Sequence, residues 1–152
     1  MSRAERAKEF FLQGYACSQA VALAFSDIIG LDEDTIKKIM LPFGGGVGRL
    51  RLTCGAVSGM AAVIGMLFAE AENSPENKKK TYALTQALCE KFKQEQGSLL
   101  CAELLAMANV AVEIGGEAEP RSKEYYKKRS CGDIVACAAA ILENYLIEEK
   151  IL

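Results

Sequence analysis

With 152 residues, 18 Lys and Arg against 20 Asp and Glu, and a formal charge of −2, the chain has the size of one domain and lacks the global basic field that draws nucleic acid or acidic membrane. A hydrophobic fraction of 51% with 3 Pro and no Trp suits a compact helical domain and excludes a disordered one. Histidine is absent, which excludes Cys-His or Ser-His catalysis within the chain and every metal site built on imidazole.

The opening stretch, MSRAERAKEFFLQGY, interrupts each apolar run with charge and so does not read as a secretory signal. A cytoplasmic location is expected. There the 6 cysteines read as metal ligands or redox thiols rather than crosslinks, and a domain that buries about two thirds of its unfolded surface needs no staples. Residues 3 to 13 form an amphipathic helix with Phe10 and Phe11 inward, stopped by Gly14. A second helix starts near Cys17, carries the stripe Cys17, Val21, Phe25, Ile28, and ends with Gly30 as its C′ residue. LDEDTIKKIML is a third, capped by Asp32 and ended by Pro42.

FGGGVGRLR must be a loop, since so many glycines cannot hold a helix cheaply. It has neither the Gly-Lys-Ser/Thr ending nor the Gly-x-Gly-x-x-Gly spacing of nucleotide loops. Residues 54 to 69 are uncharged and apolar or small all round, the pattern of a central helix surrounded by others. That run is short against the ~20 residues of a membrane span, so no direct span is expected. Gly55 and Gly59 share a face where a neighbouring backbone can come close, and the Gly59 face is a candidate homodimer contact.

Ser74 as N-cap and Pro75 at N1 open a long helix to about Gln96 with Leu84, Leu88 and Phe92 inward. Gly97 ends it. Ser98 is read as the cap of the next helix, whose stripe is Cys101, Leu104, Leu105, Ala108. Periodicity is lost from Asn109 to Pro120, a loop. The last helix runs from about Ser130 to Glu149 with Ile134, Cys137, Ala138, Ile141 and Tyr145 inward. The sum is an all-α, single-domain chain over 1–152: a compact multi-helix bundle around a central apolar helix at about 54–70.

On this reading Cys17, Cys54, Cys101 and Cys131 each fall in the first turn of a different helix. Unpaired backbone N–H groups and the positive end of the helix dipole favour a thiolate there and lower its pKa. RLRLTCG and KKRSCG repeat one design: basic residues, a hydroxyl residue suited to N-cap, then Cys and Gly. Arg49 and Arg51 precede Cys54; Lys127, Lys128 and Arg129 precede Cys131. Cys89 and Cys137 sit mid-helix without that lead-in and read as small hydrophobes in the core. No Cys-x-x-Cys pair exists, so the usual zinc-ribbon and ferredoxin spacings are missing, although helix starts can still meet at one end of a bundle.

YACSQAVALAF, FGGGVGRLRLTCGAVSG, GSLLCAELL and SCGDIVACAAAILE resemble, in order and spacing, the C_GCAxxG_C_C family of bacterial and archaeal redox proteins, over about residues 15 to 145. Where the family label writes Gly-Cys-Ala-x-x-Gly, this chain has Cys54, Gly55, Ala56 and Gly59. The resemblance implies a small helical protein whose four characteristic cysteines are Cys17, Cys54, Cys101 and Cys131, with a redox role often associated with transporter genes.

The leading expectation is therefore a cytoplasmic redox protein in which Cys17, Cys54, Cys101 and Cys131 act together. They serve either as redox thiols exchanging electrons between dithiol and disulfide, or as metal ligands of an iron-sulfur cluster or other metal-thiolate centre, with Gly55, Gly59 and Arg49 beside the bound group. The alternatives are a structural zinc-binding module with four cysteine ligands, or a helical interaction protein for a membrane transporter or other partner. No acid, base or nucleotide motif names a substrate.

Overall fold

The computed structural model describes all of residues 1–152. It is all-α: α1 (Arg3–Leu12), α2 (Cys17–Leu23), α3 (Glu33–Met40), a 3-10 turn (Leu41–Phe43), the single turn α4 (Gly44–Val47), α5 (Gly55–Phe68), α6 (Pro75–Gln96), α7 (Cys101–Met107), α8 (Lys123–Lys128) and α9 (Cys131–Glu148). The only β-type pairing is one isolated antiparallel bridge, Thr53 with Leu100.

Local chemistry sets most boundaries. Ser2 and Glu5 form a reciprocal capping box at the start of α1, the Asp32 carboxylate accepts from Thr35 N at α3, and Ser74 Oγ accepts from Asn77 N at α6. Gly97, at φ +94°, closes α6 in the left-handed region. Because the Ser74 cap satisfies a donor at a partly exposed helix end, Ser74→Ala is expected to cost about 1 kcal/mol, measured as a shift in urea midpoint with unchanged m-value.

Besides the single turn α4 inside the glycine-rich stretch read as a loop, which winds through left-handed φ at Gly45 and Gly46, two elements differ from the sequence reading. The second helix stops at Leu23, not near Gly30, and winds on through i,i+3 bonds such as Phe25 N to Ala22 O and Ile28 N to Phe25 O. At this point the Arg3 guanidinium donates to the Ala24 carbonyl at 2.9 Å and pairs with the Asp27 carboxylate, fastening the start of α1 to the turns that follow α2. The second difference is α8, which the sequence reading lacks. Ser122 Oγ accepts from Tyr125 N, Glu124 lies in the first turn and Lys127 and Lys128 in the last, an arrangement that complements the helix dipole.

A single continuous core joins α1, α2, α5, α6 and α9. Phe11, Phe25, Phe92, Met60, Leu88 and Leu142 are among its largest fully buried side chains. Of the residues expected inward, Phe10, Cys17, Ile28, Leu84, Cys101, Ala108, Cys137 and Tyr145 are only half-buried. The α5 helix sits against α2, α6 and α9 but is not enclosed all round as its composition suggests. Ser58, Ala61, Ala62 and Gly65 are half-buried and Met66 is exposed. No helix is long and apolar enough to cross a membrane.

The close approach expected at Gly55 and Gly59 is present, and its occupant is α2. A Cβ on Gly59 would lie 2.7 Å from Ser18 O and 2.9 Å from Val21 Cβ. The Gly59 face is thus filled from within the same chain and is not available as a homodimer contact.

Candidate functional site

Each of the four cysteines stands at the start of its own helix: Cys17, Cys101 and Cys131 as first residues of α2, α7 and α9, and Cys54 at the N-cap of α5. The hydroxyl caps expected beside them are not used. Thr53 instead joins the bridge to Leu100, and Ser130 occupies the N-cap position of α9 without a side-chain bond. Ser98 does not cap α7. Its Oγ accepts from Leu100 N and donates to Glu103 Oε2, while Leu100 takes the cap position.

Backbone carbonyls from 51–52 satisfy the start of α7 in place of a cap. Cys101 N donates to Leu52 O at 2.7 Å, Ala102 N to Arg51 O at 3.2 Å, and in return Cys54 N donates to Leu99 O at 2.8 Å. Donors at a buried helix end must find some partner, and this clasp supplies it while tying the Cys54 and Cys101 backbones together.

Ahead of the clasp the chain runs through an unusual turn. Gly45, Gly46, Val47, Gly48 and Arg49 all have φ between +57° and +71°, and Arg51 follows at +61°. L-residues resist this left-handed region at roughly 1–2 kcal/mol each, so Val47, Arg49 and Arg51 store strain that the surrounding bonds must offset. Leu52 N to Gly46 O and the reciprocal pair between Arg49 and Gly115 do so. Gly46 admits no side chain: a Cβ there would lie 2.6 Å from Cys101 Cβ and 2.7 Å from Leu52 N.

These elements enclose a cavity of ≈ 340 Å³ whose walls include all four cysteines together with Gly55 and Arg49. Gly59 is not among the lining residues; it lies under α2. Cys89 and Cys137 lie outside the cavity and pack against the core. Burial pushes both thiols up, Cys137 to about 11, and Cys137 Sγ sits 3.0 Å from Glu95 Oε2.

The wall also holds Arg51, Arg121, Arg129 and Tyr125. Arg121 and Tyr125 escaped the sequence reading because they come from the irregular stretch and from α8. Arg121 donates to Phe11 O and Tyr15 O, both at 3.0 Å, and lies over the Phe11 and Tyr125 rings at 4.4 and 4.8 Å. Arg49 and Arg51 tether residues 109–120 through Nε bonds to Gly115 O and Glu113 O. Arg51, only 7% exposed, also places Nη1 3.7 Å from Cys101 Sγ.

Charge separates the four thiols. Cys17 donates a hydrogen bond to Cys131; this bond, assisted by Arg129, Arg121 and Arg51, outweighs burial and lowers Cys131 to about 7. The same bond, with burial, raises Cys17 well above its ordinary value. Burial drives Cys54 to about 12 despite N–H groups of Ala56 and Val57. It also raises Cys101 against the pull of Arg51. Helix starts alone therefore do not lower these thiols, contrary to expectation. Desolvation wins at three, and only the cysteine with a thiol donor and three guanidinium groups around it becomes a thiolate near neutral pH.

The donor geometry also differs from a four-thiolate centre. Although Cys17, Cys54, Cys101 and Cys131 share one cavity, no three Cys, Asp or Glu side chains form a group that could hold a metal ion. The arrangement does not fit an iron-sulfur cluster or a zinc site of four cysteines. What it can do is bring a thiolate and its thiol donor into contact inside a positively charged pocket.

The family model described as "Putative redox-active protein (C_GCAxxG_C_C)" matches residues 15–145. That span contains all four cysteines and every arginine of the cavity. No curated protein and no solved structure matches the chain.

Proposed function

The chain belongs to the C_GCAxxG_C_C family, and from that premise we propose that it is a thiol–disulfide exchange protein with Cys131 as attacking thiolate and Cys17 as resolving thiol. The observation that carries this reading is the placement of Cys17 and Cys131, the first residues of α2 and α9, in one cavity walled by Arg51, Arg121 and Arg129, where the Cys17 thiol and these charges hold Cys131 low. A thiolate is the nucleophile in exchange, and a second thiol in contact with it resolves the mixed disulfide. Cys101 and Cys54 line the same cavity, both raised by burial.

Magnitudes favour Cys131 as the first to react. Lowering a thiol from about 9 to about 7 raises its thiolate fraction at neutral pH ~50-fold, and the weaker intrinsic nucleophilicity of the more acidic thiol returns ~10-fold of that. A net advantage of about fivefold remains over an ordinary exposed thiol, and a far larger one over Cys54.

Alkylation of the fully reduced protein with iodoacetamide, followed residue by residue by mass spectrometry, tests the assignment. Cys131 is protonated and slow below about pH 6, gains rate as pH rises through about 7, and levels off above 8. Cys54 stays unmodified over the same range. A Cys131 profile centred near the ordinary thiol value, or Cys54 reacting ahead of it, would remove the basis for the proposal.

A further inference from the structure

We propose that the substrate of this cavity is a low-molecular-mass disulfide bearing negative charge, of the carboxylate class. The inference rests on the exchange reading above and adds to it the chemistry of what is exchanged.

Three features of the walls carry it. Four guanidinium groups, from Arg49, Arg51, Arg121 and Arg129, face a cavity whose lining contains a single carboxylate, Glu119. Glu119 is paired with Arg129 and Glu113 with Arg49, but neither Arg51 nor Arg121 has a carboxylate partner. Arg51 is buried and Arg121 half-buried, a guanidinium withdrawn from water without a counter-charge is costly, and the single charge on the Cys131 sulfur answers only one of the two. Once that sulfur enters a disulfide it carries no charge, and both guanidinium groups are left facing the cavity. An anionic occupant supplies the missing charge in either state.

Size and polarity narrow the class further. At ≈ 340 Å³ the cavity lies at the small end of organic-ligand sites, too small for a folded partner to enter. Leu41, Leu104, Leu105 and Ile134 line it as well, giving methylene groups of a short organic chain an apolar wall while its carboxylates reach the arginines.

The step balances with no further reactant. Cys131 thiolate attacks one sulfur of R–S–S–R, the substrate's S–S bond breaks, and R–S⁻ leaves. Cys17, giving up its proton to that leaving group, attacks the Cys131 sulfur and displaces the second R–S⁻. The protein's dithiol is oxidised by two electrons to a Cys17–Cys131 disulfide, and the substrate is reduced to two thiols.

A charge series tests this on the reduced full-length chain: dithiodipropionate (anionic), hydroxyethyl disulfide (neutral) and cystamine (cationic), similar in size. Disulfide closure is timed by mass spectrometry, and each rate is divided by that reagent's rate with a free small thiol. The expected order is anion over neutral over cation, with a total spread of more than about tenfold that shrinks as salt is added. Arg51→Gln should compress the spread, and Arg51→Lys, which keeps the charge, should restore most of it even if the loop loosens. Equal normalised rates, or a spread indifferent to Arg51, overturn the anionic substrate while leaving exchange intact. If none of the three oxidises the pair, the exchange reading falls and takes this inference with it.

Discussion

Replacing Cys17 with serine is expected to stop the exchange halfway. In the wild-type chain a disulfide reagent that caps Cys131 is expelled when Cys17 attacks, so the end product is a protein two hydrogens lighter with no adduct. In Cys17→Ser the adduct stays, because the thiol that interacts directly with Cys131 is gone, and Cys54 and Cys101, raised by burial, have no such interaction with it. Intact mass then shows one reagent fragment per chain, located at Cys131. The variant also loses the hydrogen bond that is the foremost cause of the lowered Cys131, so its capping rate at neutral pH falls several-fold as well. Cys131→Ser is the more severe change: no thiol near neutral pH remains in the cavity, and fast capping disappears. Full release of adduct by Cys17→Ser would assign resolution to Cys101 or Cys54 and refute the pairing proposed here.

Gly46→Ala carries the largest expected loss of stability. The new Cβ would have to occupy space held by Cys101 Cβ at 2.6 Å and by the backbone of Arg51 and Leu52 at 2.9 and 2.7 Å. Backbone cannot rotate aside as a side chain can, and φ of +71° adds the left-handed penalty. Overpacking at 1–3 kcal/mol and left-handed strain at 1–2 kcal/mol give about 3–5 kcal/mol together, a fall in Tm on the order of 10 °C. Gly65→Ala supplies the opposite sign in the same experiment. Gly65 is helical, with nothing within 4 Å of an added Cβ, and gains about 0.5–1 kcal/mol from the lost freedom of the unfolded chain. A Gly46→Ala protein that melts with the wild type would show that the turn is not packed against α7 as described.

Helix positions were legible where local chemistry decides them. Asp32, Ser74 and Gly97 act on their own neighbours, so their roles can be read from a few adjacent letters. The four cysteines at helix starts were legible for the same reason, and the recurrence of basic residues ahead of Cys54 and Cys131 marked three arginines, Arg49, Arg51 and Arg129, that do reach the cavity. What stayed hidden depends on groups distant in the chain. The turns that follow α2 are held by Arg3, the start of α7 is satisfied by carbonyls of Arg51 and Leu52, and Arg121 is aimed by carbonyls of Phe11 and Tyr15. Thiol acidity belongs to this second kind. A helix start is common to all four cysteines, whereas desolvation and the Cys17 proton, both products of the tertiary fold, separate one from the other three.

Arg49 and Arg51 each commit their Nε hydrogen to the 109–120 segment and contribute the rest of the guanidinium to the cavity wall beneath it. Roof and floor are thus fastened by the same two side chains. Neither the positive field inside nor the seating of the covering strap can be adjusted independently at these positions, and any substitution here is felt on both sides at once.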